Sequence, residues 1–409
     1  MPSATVTIDS IAAGGDGVAR AEGLVIFVPR TAPGDIGTVR FAQRGRFARG
    51  ELVALSTPSA TRVEPPCPHY TRDECGGCQL QHMRYDAQLE AKAHIIRDAI
   101  QRIGKRDVPL PCVRPSPSAW HYRRKLTLAM RRRRSGWMAG LHPYDRPASV
   151  FPLRECPITE DRVLTIWREV LGAADDLPDV AELRGAVRLD EGGAAFVLQG
   201  GHEWPRSARF FSRVPALDSL WWEPEQRQRV LLQKRESSHA PGASFAQVNA
   251  GVAELLREHV VARAGHHAPA SVVDAYAGLG DLAVALAGQG IRVTAIELDP
   301  EAAAWAARRL PTGSRAVAAR VEDALPGALP ADVVILNPPR TGVDERVARA
   351  LEDTPDRPRA VIYVSCNPAT LARDLSRLPS YRIASLMAFD MFPQTAHVET
   401  VCELVPEHP

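Results

Sequence analysis

The stretch at residues 360–375, AVIYVSCNPATLARDL, decides the fold class. It begins with an apolar, largely β-branched run of the kind that forms a buried strand. Asn367-Pro368 is a turn dipeptide, and Ala369 onward favours helix. A strand that turns straight into a helix is the repeating unit of an open α/β sheet, and such sheets bind their ligands at the carboxyl ends of the strands. Cys366 stands at that end. A thiol placed there is either a nucleophile or a small apolar filler, and position alone leaves both readings open.

The same alternation extends outward on the N-terminal side. Strand-like and helix-like segments follow one another at residues 271–275, 282–287, 292–296, 300–310, 332–336, 346–352, 361–364 and 370–378, after a helix that runs to residue 263. This predicts a mostly parallel sheet with helices on both faces. The first strand–helix turn, residues 274–281, DAYAGLGD, is rich in glycine, and Glu297 closes the next strand. Glycines let a cofactor approach the backbone, and a strand-end carboxylate can hold two ribose hydroxyls. Gly278, Gly280 and Ala283 would equally satisfy a nicotinamide-binding pattern. The later loop ILNPPR, residues 335–340, discriminates better, because a polar residue followed by two prolines at a strand end is a feature of methyltransferases that act on bases. In enzymes that methylate adenine amino groups the motif ends in an aromatic residue; here it ends in Arg340.

The 409 residues carry a net charge of only +2, so any argument for a nucleic-acid partner has to be local. The run Arg131 to Arg134 is the obvious local candidate, within a segment (residues 120–156) that interleaves aromatic and basic residues as surfaces for single-stranded RNA do. The chain begins with neither a basic nor an apolar leader pattern, and no apolar run approaches membrane-spanning length, so a cytoplasmic protein without membrane contact is expected. Residues 5–57 read as short strands separated by glycine-containing turns, which suggests a small barrel. Arg40, Arg44, Arg46 and Arg49 are suited there to phosphate contacts.

After the linker TPSATRVEPP comes CPHYTRDECGGCQLQH at residues 67–82. Cys67, Cys75 and Cys78 are spaced C-x7-C-x2-C, and three clustered thiols in a cytosolic chain ask for a metal. Spacing leaves the fourth ligand open between Cys112 and Cys156, and the metal open between zinc and an iron–sulfur cluster. A helical segment follows at residues 85–103. Residues 161–240 contain no motif that carries chemistry.

Taken together, CGGCQLQH, the later Cys156-Pro157-Ile158, and SCNPAT at residues 365–370 with HVET at 397–400 resemble one family. It is the S-adenosylmethionine-dependent RNA 5-methyluridine methyltransferases, in the branch with a TRAM domain and a [4Fe-4S] cluster. GGDGVAR (14–20), VPR (28–30) and PGD (33–35) are similar to the TRAM barrel, which binds RNA. The resemblance implies an α/β protein whose Rossmann-like methyltransferase domain follows an N-terminal OB-like β-barrel and a central α+β iron–sulfur domain. The expected boundaries are residues 1–60, 61–240 and 241–409. It further implies Cys366 as nucleophile and Glu399 as general base. S-adenosylmethionine would be contacted by Gln247, Tyr276, Asp281, Glu297, Asp323 and Asn337, and the cluster held by Cys67, Cys75, Cys78 and Cys156. The implied substrate is a uridine of large-subunit (23S) ribosomal RNA, with a transfer RNA enzyme or a catalytically silent RNA-binding homologue as the alternatives, and the protein is expected to act as a monomer. Two positions depart from the family pattern: seven residues separate Cys67 from Cys75 where five are usual, and Asn337 replaces an aspartate.

Overall fold

Six strands open the chain: β1 (Ser3–Thr7), β2 (Ser10–Ile11), β3 (Gly17–Ala21), β4 (Leu24–Val28), β5 (Ile36–Arg44) and β6 (Phe47–Thr57). They form one sheet in the order β1-β5-β6-β4-β3-β2, and β1 also lies against β3, so the sheet curls on itself. Alternate residues point inward, where Val6, Ala19, Ile26, Val28, Val39, Phe41 and Ala48 make a small core. Gly17 begins β3; a Cβ there would stand 2.0 Å from the Thr31 hydroxyl.

The computed structural model describes residues 1–190, 193–235 and 247–407. It divides into two compact units, one of residues 1–63, 82–117 and 251 onward, the other of residues 64–81 and 118–250. The short helix α1 (Pro68–Thr71) belongs to the second unit, whereas α2 (Tyr85–Arg102) and β7 (Cys112–Arg114) belong to the first.

The second unit is built on β8 (Lys125–Arg133), β9 (Gly136–Leu141), β10 (Phe151–Pro152), α3 (Asp161–Gly172), β11 (Glu182–Asp190), β12 (Gly193–Gln199), α4 (Ser207–Arg213), β13 (Ser219–Glu223) and β14 (Val230–Lys234). Its seven strands run in the order β10-β9-β8-β11-β12-β13-β14. One core, with Leu126, Leu128, Trp167, Phe196 and Phe210, joins α3 and α4 to this sheet. The arginine run falls on the β8–β9 hairpin: Arg131 pairs with Glu182 at 2.7 Å and Arg132 with Asp179, while Arg133 and Arg134 are exposed.

The rest of the first unit comprises α5 (Ala250–His266), β15 (Ser271–Ala275), α6 (Asp281–Ala287), β16 (Arg292–Glu297), α7 (Pro300–Arg309), β17 (Arg315–Ala318), α8 (Val321–Ala324), β18 (Val333–Leu336), α9 (Glu345–Asp353), β19 (Ala360–Ser365), α10 (Pro368–Leu375), β20 (Tyr381–Phe389) and β21 (Glu399–Pro406). These strands, with β7, form an eight-stranded sheet in the order β17-β16-β15-β18-β19-β21-β20-β7. The first five are parallel, and β21 is antiparallel to both of its neighbours. Two apolar layers flank the sheet. One contains Ile96 and Ile100 of α2, Val347 and Leu351 of α9, and Leu371 and Leu375 of α10; the other contains Val252, Leu256 and Val260 of α5 and Leu286 of α6. The periodic apolar positions of these helices explain why each lies where it does. Among the described residues, no helix is long and apolar enough to cross a membrane.

Candidate active site

Every residue of β19 is buried, and the chain leaves the sheet at Cys366. Local polar chemistry fixes the turn. Asn367 caps α10, its side-chain oxygen accepting from the Ala369 N–H at 3.1 Å, with Pro368 in the first helical position. The Ser365 hydroxyl accepts from the Asn367 N–H at 3.2 Å and donates to the Asn367 carbonyl at 3.1 Å; Thr370 donates to the same carbonyl at 3.0 Å. The Asn367 amide also donates to the Arg340 carbonyl at 3.3 Å, joining this turn to the NPPR loop after β18.

Cys366 is half-buried. Burial, and then the nearby Glu399 carboxylate, push its thiol up, while the Arg340 guanidinium opposes both by charge and by a side-chain hydrogen bond. Glu399 is 4 % exposed, and burial pushes its carboxyl up to about 8, again against the pull of Arg340. Strand register explains the meeting. β19 pairs with β21 from Val361↔Leu404 to Ser365↔Thr400, so Cys366 follows and Glu399 precedes the residues of that last pair, and the two are near enough for the carboxylate to act on the thiol. A thiol, a carboxyl held well above the usual carboxylate range by burial, and a guanidinium therefore lie close together at the ends of β18, β19 and β21. Sequence reasoning gave Arg340 no role; its only signal was a motif ending in a cation rather than an aromatic ring.

The nucleotide-type loop lies between β15 and α6, on the side where the strand order reverses between β15 and β18. Tyr276, Gly278 and Gly280 adopt positive φ of 63°, 57° and 80°, and a Cβ on Gly280 would stand 2.5 Å from that of Ala306. Glu297 braces the loop, accepting from the N–H groups of Gly278 and Asp299, each at 2.8 Å. Tyr276 is half-buried, and burial followed by the charge of Glu322 raises its hydroxyl's pKa. Beneath the loop, buried Asp274 is pushed up to about 7 by desolvation, with a contribution from Glu297. Asn337 is half-buried after β18, and its N–H donates to the Ala275 carbonyl at 3.2 Å. The carboxyl ends of β15, β16 and β18 thus bring Tyr276, Glu297 and Asn337 to one rim of the sheet.

The remaining expected contacts have other partners. Asp281 is ion-paired with Arg309 at 2.6 Å. Asp323 is exposed and paired with Arg346 at 2.7 Å; the residue before it, Glu322, is the more buried and is the one that acts on Tyr276. Gln247 is half-buried near the end of the second unit, and residues 236–246 just before it lie outside the described residues.

In the second unit, Cys67 caps α1, Cys75 donates its N–H to the His69 carbonyl at 2.9 Å, and the Gly77 N–H donates to the Cys75 sulfur at 3.4 Å. Cys67, Cys78 and Cys156 share a cluster with Tyr70, Tyr122 and Ile158. Burial raises the thiol of Cys78, and the proximity of Cys156, Cys75 and Cys67 raises it further. Cys78 therefore lies near the other three thiols, Cys156 first among them. Among the described residues, no three His, Cys, Asp or Glu side chains converge as ligands of a metal ion. Cys112 is exposed on the edge strand β7 of the other unit.

Comparison with known proteins agrees in kind. Residues 311–405 match the family described as tRNA (Uracil-5-)-methyltransferase. A protein of Halalkalibacterium halodurans named an uncharacterized RNA methyltransferase is 32% identical, over 98% of this chain and 96% of its own length. A Synechocystis protein of the same description is 32% identical, over 96% of this chain and 94% of its own. The crystal structure of the Pyrococcus abyssi tRNA (uracil-54, C5)-methyltransferase in complex with S-adenosyl-L-homocysteine superimposes with a TM-score of 0.69, at 24% identity, over 98% of this chain and all of that one. At that identity the likeness speaks for the fold.

Proposed function

Because the chain belongs to the RNA methyltransferase family of these relatives and is an S-adenosylmethionine-dependent RNA (uracil-C5-)-methyltransferase, we propose that it acts on one uridine of structured RNA through a covalent adduct at C6 of the base. The observation that carries this reading is the juxtaposition of Cys366 and Glu399.

C5 of uracil is a poor nucleophile until something adds to C6. The Cys366 thiolate supplies that addition: its sulfur bonds to C6, the C5=C6 π electrons move toward O4, and C5 becomes enolate-like. S-adenosylmethionine, when bound, supplies the methyl group as an electrophile. Glu399 then takes the C5 proton; the released pair re-forms C5=C6 and expels the Cys366 thiolate. Arg340 favours the thiolate before attack and after release. Tyr276, Glu297, Asn337, Gln247, Asp281 and Asp323 are the proposed cofactor contacts, with Glu297 suited to ribose hydroxyls. The target base must leave its stack to reach a strand-end thiol, which favours uridines in loops.

Cys67, Cys75, Cys78 and Cys156 are proposed to hold a [4Fe-4S] cluster. Methyl transfer needs no electrons, so the cluster would shape the second unit. The combination of barrel and cluster favours 23S ribosomal RNA as substrate. The fold shared with an enzyme named for tRNA uracil-54 keeps transfer RNA as the second reading. Incubation with RNA carrying 5-fluorouridine tests the chemistry, since fluorine at C5 cannot be removed as a proton. A stable protein–RNA adduct through Cys366 is expected; absence of any adduct on a substrate RNA that accepts methyl groups would overturn it. Mapping new 5-methyluridine in 23S and transfer RNA separates the two substrates.

A further inference from the structure

Helix α2 precedes the catalytic sheet in sequence, yet it touches the chain on both sides of the proposed reaction. One stripe of the helix, Tyr85, Gln88, Lys92, Ile96 and Ile100, repeats at three- and four-residue spacing and so lies along one face. Its C-terminal half is apolar: Ile96 and Ile100 pack with Leu371, Ala372 and Leu375 of α10, the helix that starts directly after Cys366. Its N-terminal half is polar, which is unusual for a buried stripe. Lys92 is fully buried and donates to the carboxylate of Asp390, also fully buried, and to the Phe392 carbonyl at 3.1 Å. Gln88 makes a reciprocal pair with Gln394, its amide donating to the Gln394 side-chain oxygen at 2.9 Å and its oxygen accepting the Gln394 N–H at 3.0 Å. The Tyr85 hydroxyl accepts the Ser116 N–H at 2.8 Å and lies against Asp390.

Residues 390–398 are the loop between β20 and β21, and the pair that closes it is Phe389↔Glu399. The loop has no regular structure of its own, so its shape is set by whatever binds its polar groups. We propose that α2 is the jig that fixes the proton-abstracting carboxylate relative to the nucleophile, with Lys92 and Gln88 as positioning residues for Glu399. The inference rests on the reading of Cys366 and Glu399 given above. One rigid helix grips the element that leaves Cys366 and the loop that enters Glu399, so a change at its polar half moves the base while leaving the thiol in place.

The test compares Gln88→Leu, the double variant Lys92→Met/Asp390→Leu, and Glu399→Gln in the full-length protein. Gln88→Leu removes the amide pair without burying a lone charge, and the double variant removes both charges together. Each is assayed for S-adenosylmethionine binding, for kcat and KM on unmodified 23S transcript, and for covalent protein–RNA complex on denaturing gels with ordinary uridine. For the two α2-side variants, cofactor binding and the KM for RNA should stay near wild type, kcat should fall about tenfold to a hundredfold, and covalent complex should accumulate because proton removal has slowed. Wild-type kcat with no accumulated complex overturns the proposal. Loss of complex together with loss of methyl transfer overturns it as well, since the defect then lies in folding or at the nucleophile. If the double variant does not fold, Gln88→Leu decides by the same criteria. If Glu399→Gln accumulates complex and the α2-side variants do not, the role of α2 alone fails. If Glu399→Gln turns over normally, the base assignment fails and the jig falls with it.

Discussion

Cys366 and Glu399 flank Ser365↔Thr400, the last pair between β19 and β21, and the Arg340 guanidinium acts on both. Within the sheet, β21 runs antiparallel to β19, the last of the five parallel strands, and so brings together residues 33 apart in sequence.

Replacing Cys366 with alanine should abolish methyl transfer and the 5-fluorouridine adduct while leaving cofactor binding and thermal stability near wild type, because the side chain is half-buried and small. Methyl incorporation and denaturing-gel shift measure both. Amino-group methylation, by contrast, would survive the substitution.

Glu399 should impose a pH dependence. Its carboxyl, pushed up to about 8, is protonated below that pH, so release of the adduct should rise with pH toward 8 and then level off. Glu399→Gln should lower turnover by about 10²–10⁴-fold and flatten this limb. Stability carries the opposite sign: ionising a carboxyl whose folded pKa lies above its unfolded value disfavours the folded state. The destabilisation grows from about pH 4.5 to 8 and amounts to at most about 5 kcal/mol. Glu399→Gln should therefore melt higher than wild type at pH 8, the gap closing toward pH 5.

Arg340→Ala removes the cation that opposes the rise of the Cys366 pKa. Adduct formation at pH 7.5 should slow by about tenfold or more and recover as pH is raised, with Arg340→Lys retaining part of the effect. Rates of 5-fluorouridine trapping across pH give the answer. A uniform loss at every pH would assign Arg340 to RNA binding instead.

Cys156→Ser should lose iron and the brown absorbance of purified protein, and Cys112→Ser should lose neither. Iron analysis of anaerobically purified variants decides it, and zinc in place of iron would refute the cluster. Cys67→Ser, Cys75→Ser and Cys78→Ser should behave like Cys156→Ser.

Asp390→Asn or Lys92→Met alone leaves a fully buried charge without its partner, which costs about 3–5 kcal/mol. Thermal melts should show these single variants well below the Lys92→Met/Asp390→Leu double variant.

What could be read from the chain by itself was everything governed by neighbouring residues. The strand–turn–helix units around DAYAGLGD and SCNPAT, the helix from Tyr85 and the thiol cluster at 67–78 all announce themselves through local periodicity and turn chemistry. Contacts between distant segments left no such trace. No local pattern says that α2 belongs with the methyltransferase sheet, because Lys92 meets Asp390 across 298 positions. None says that Glu322, rather than Asp323, acts on Tyr276, or that Arg340 reaches the thiol. Those facts depend on how strands pair and which side chains share a buried volume, and only the folded chain decides that.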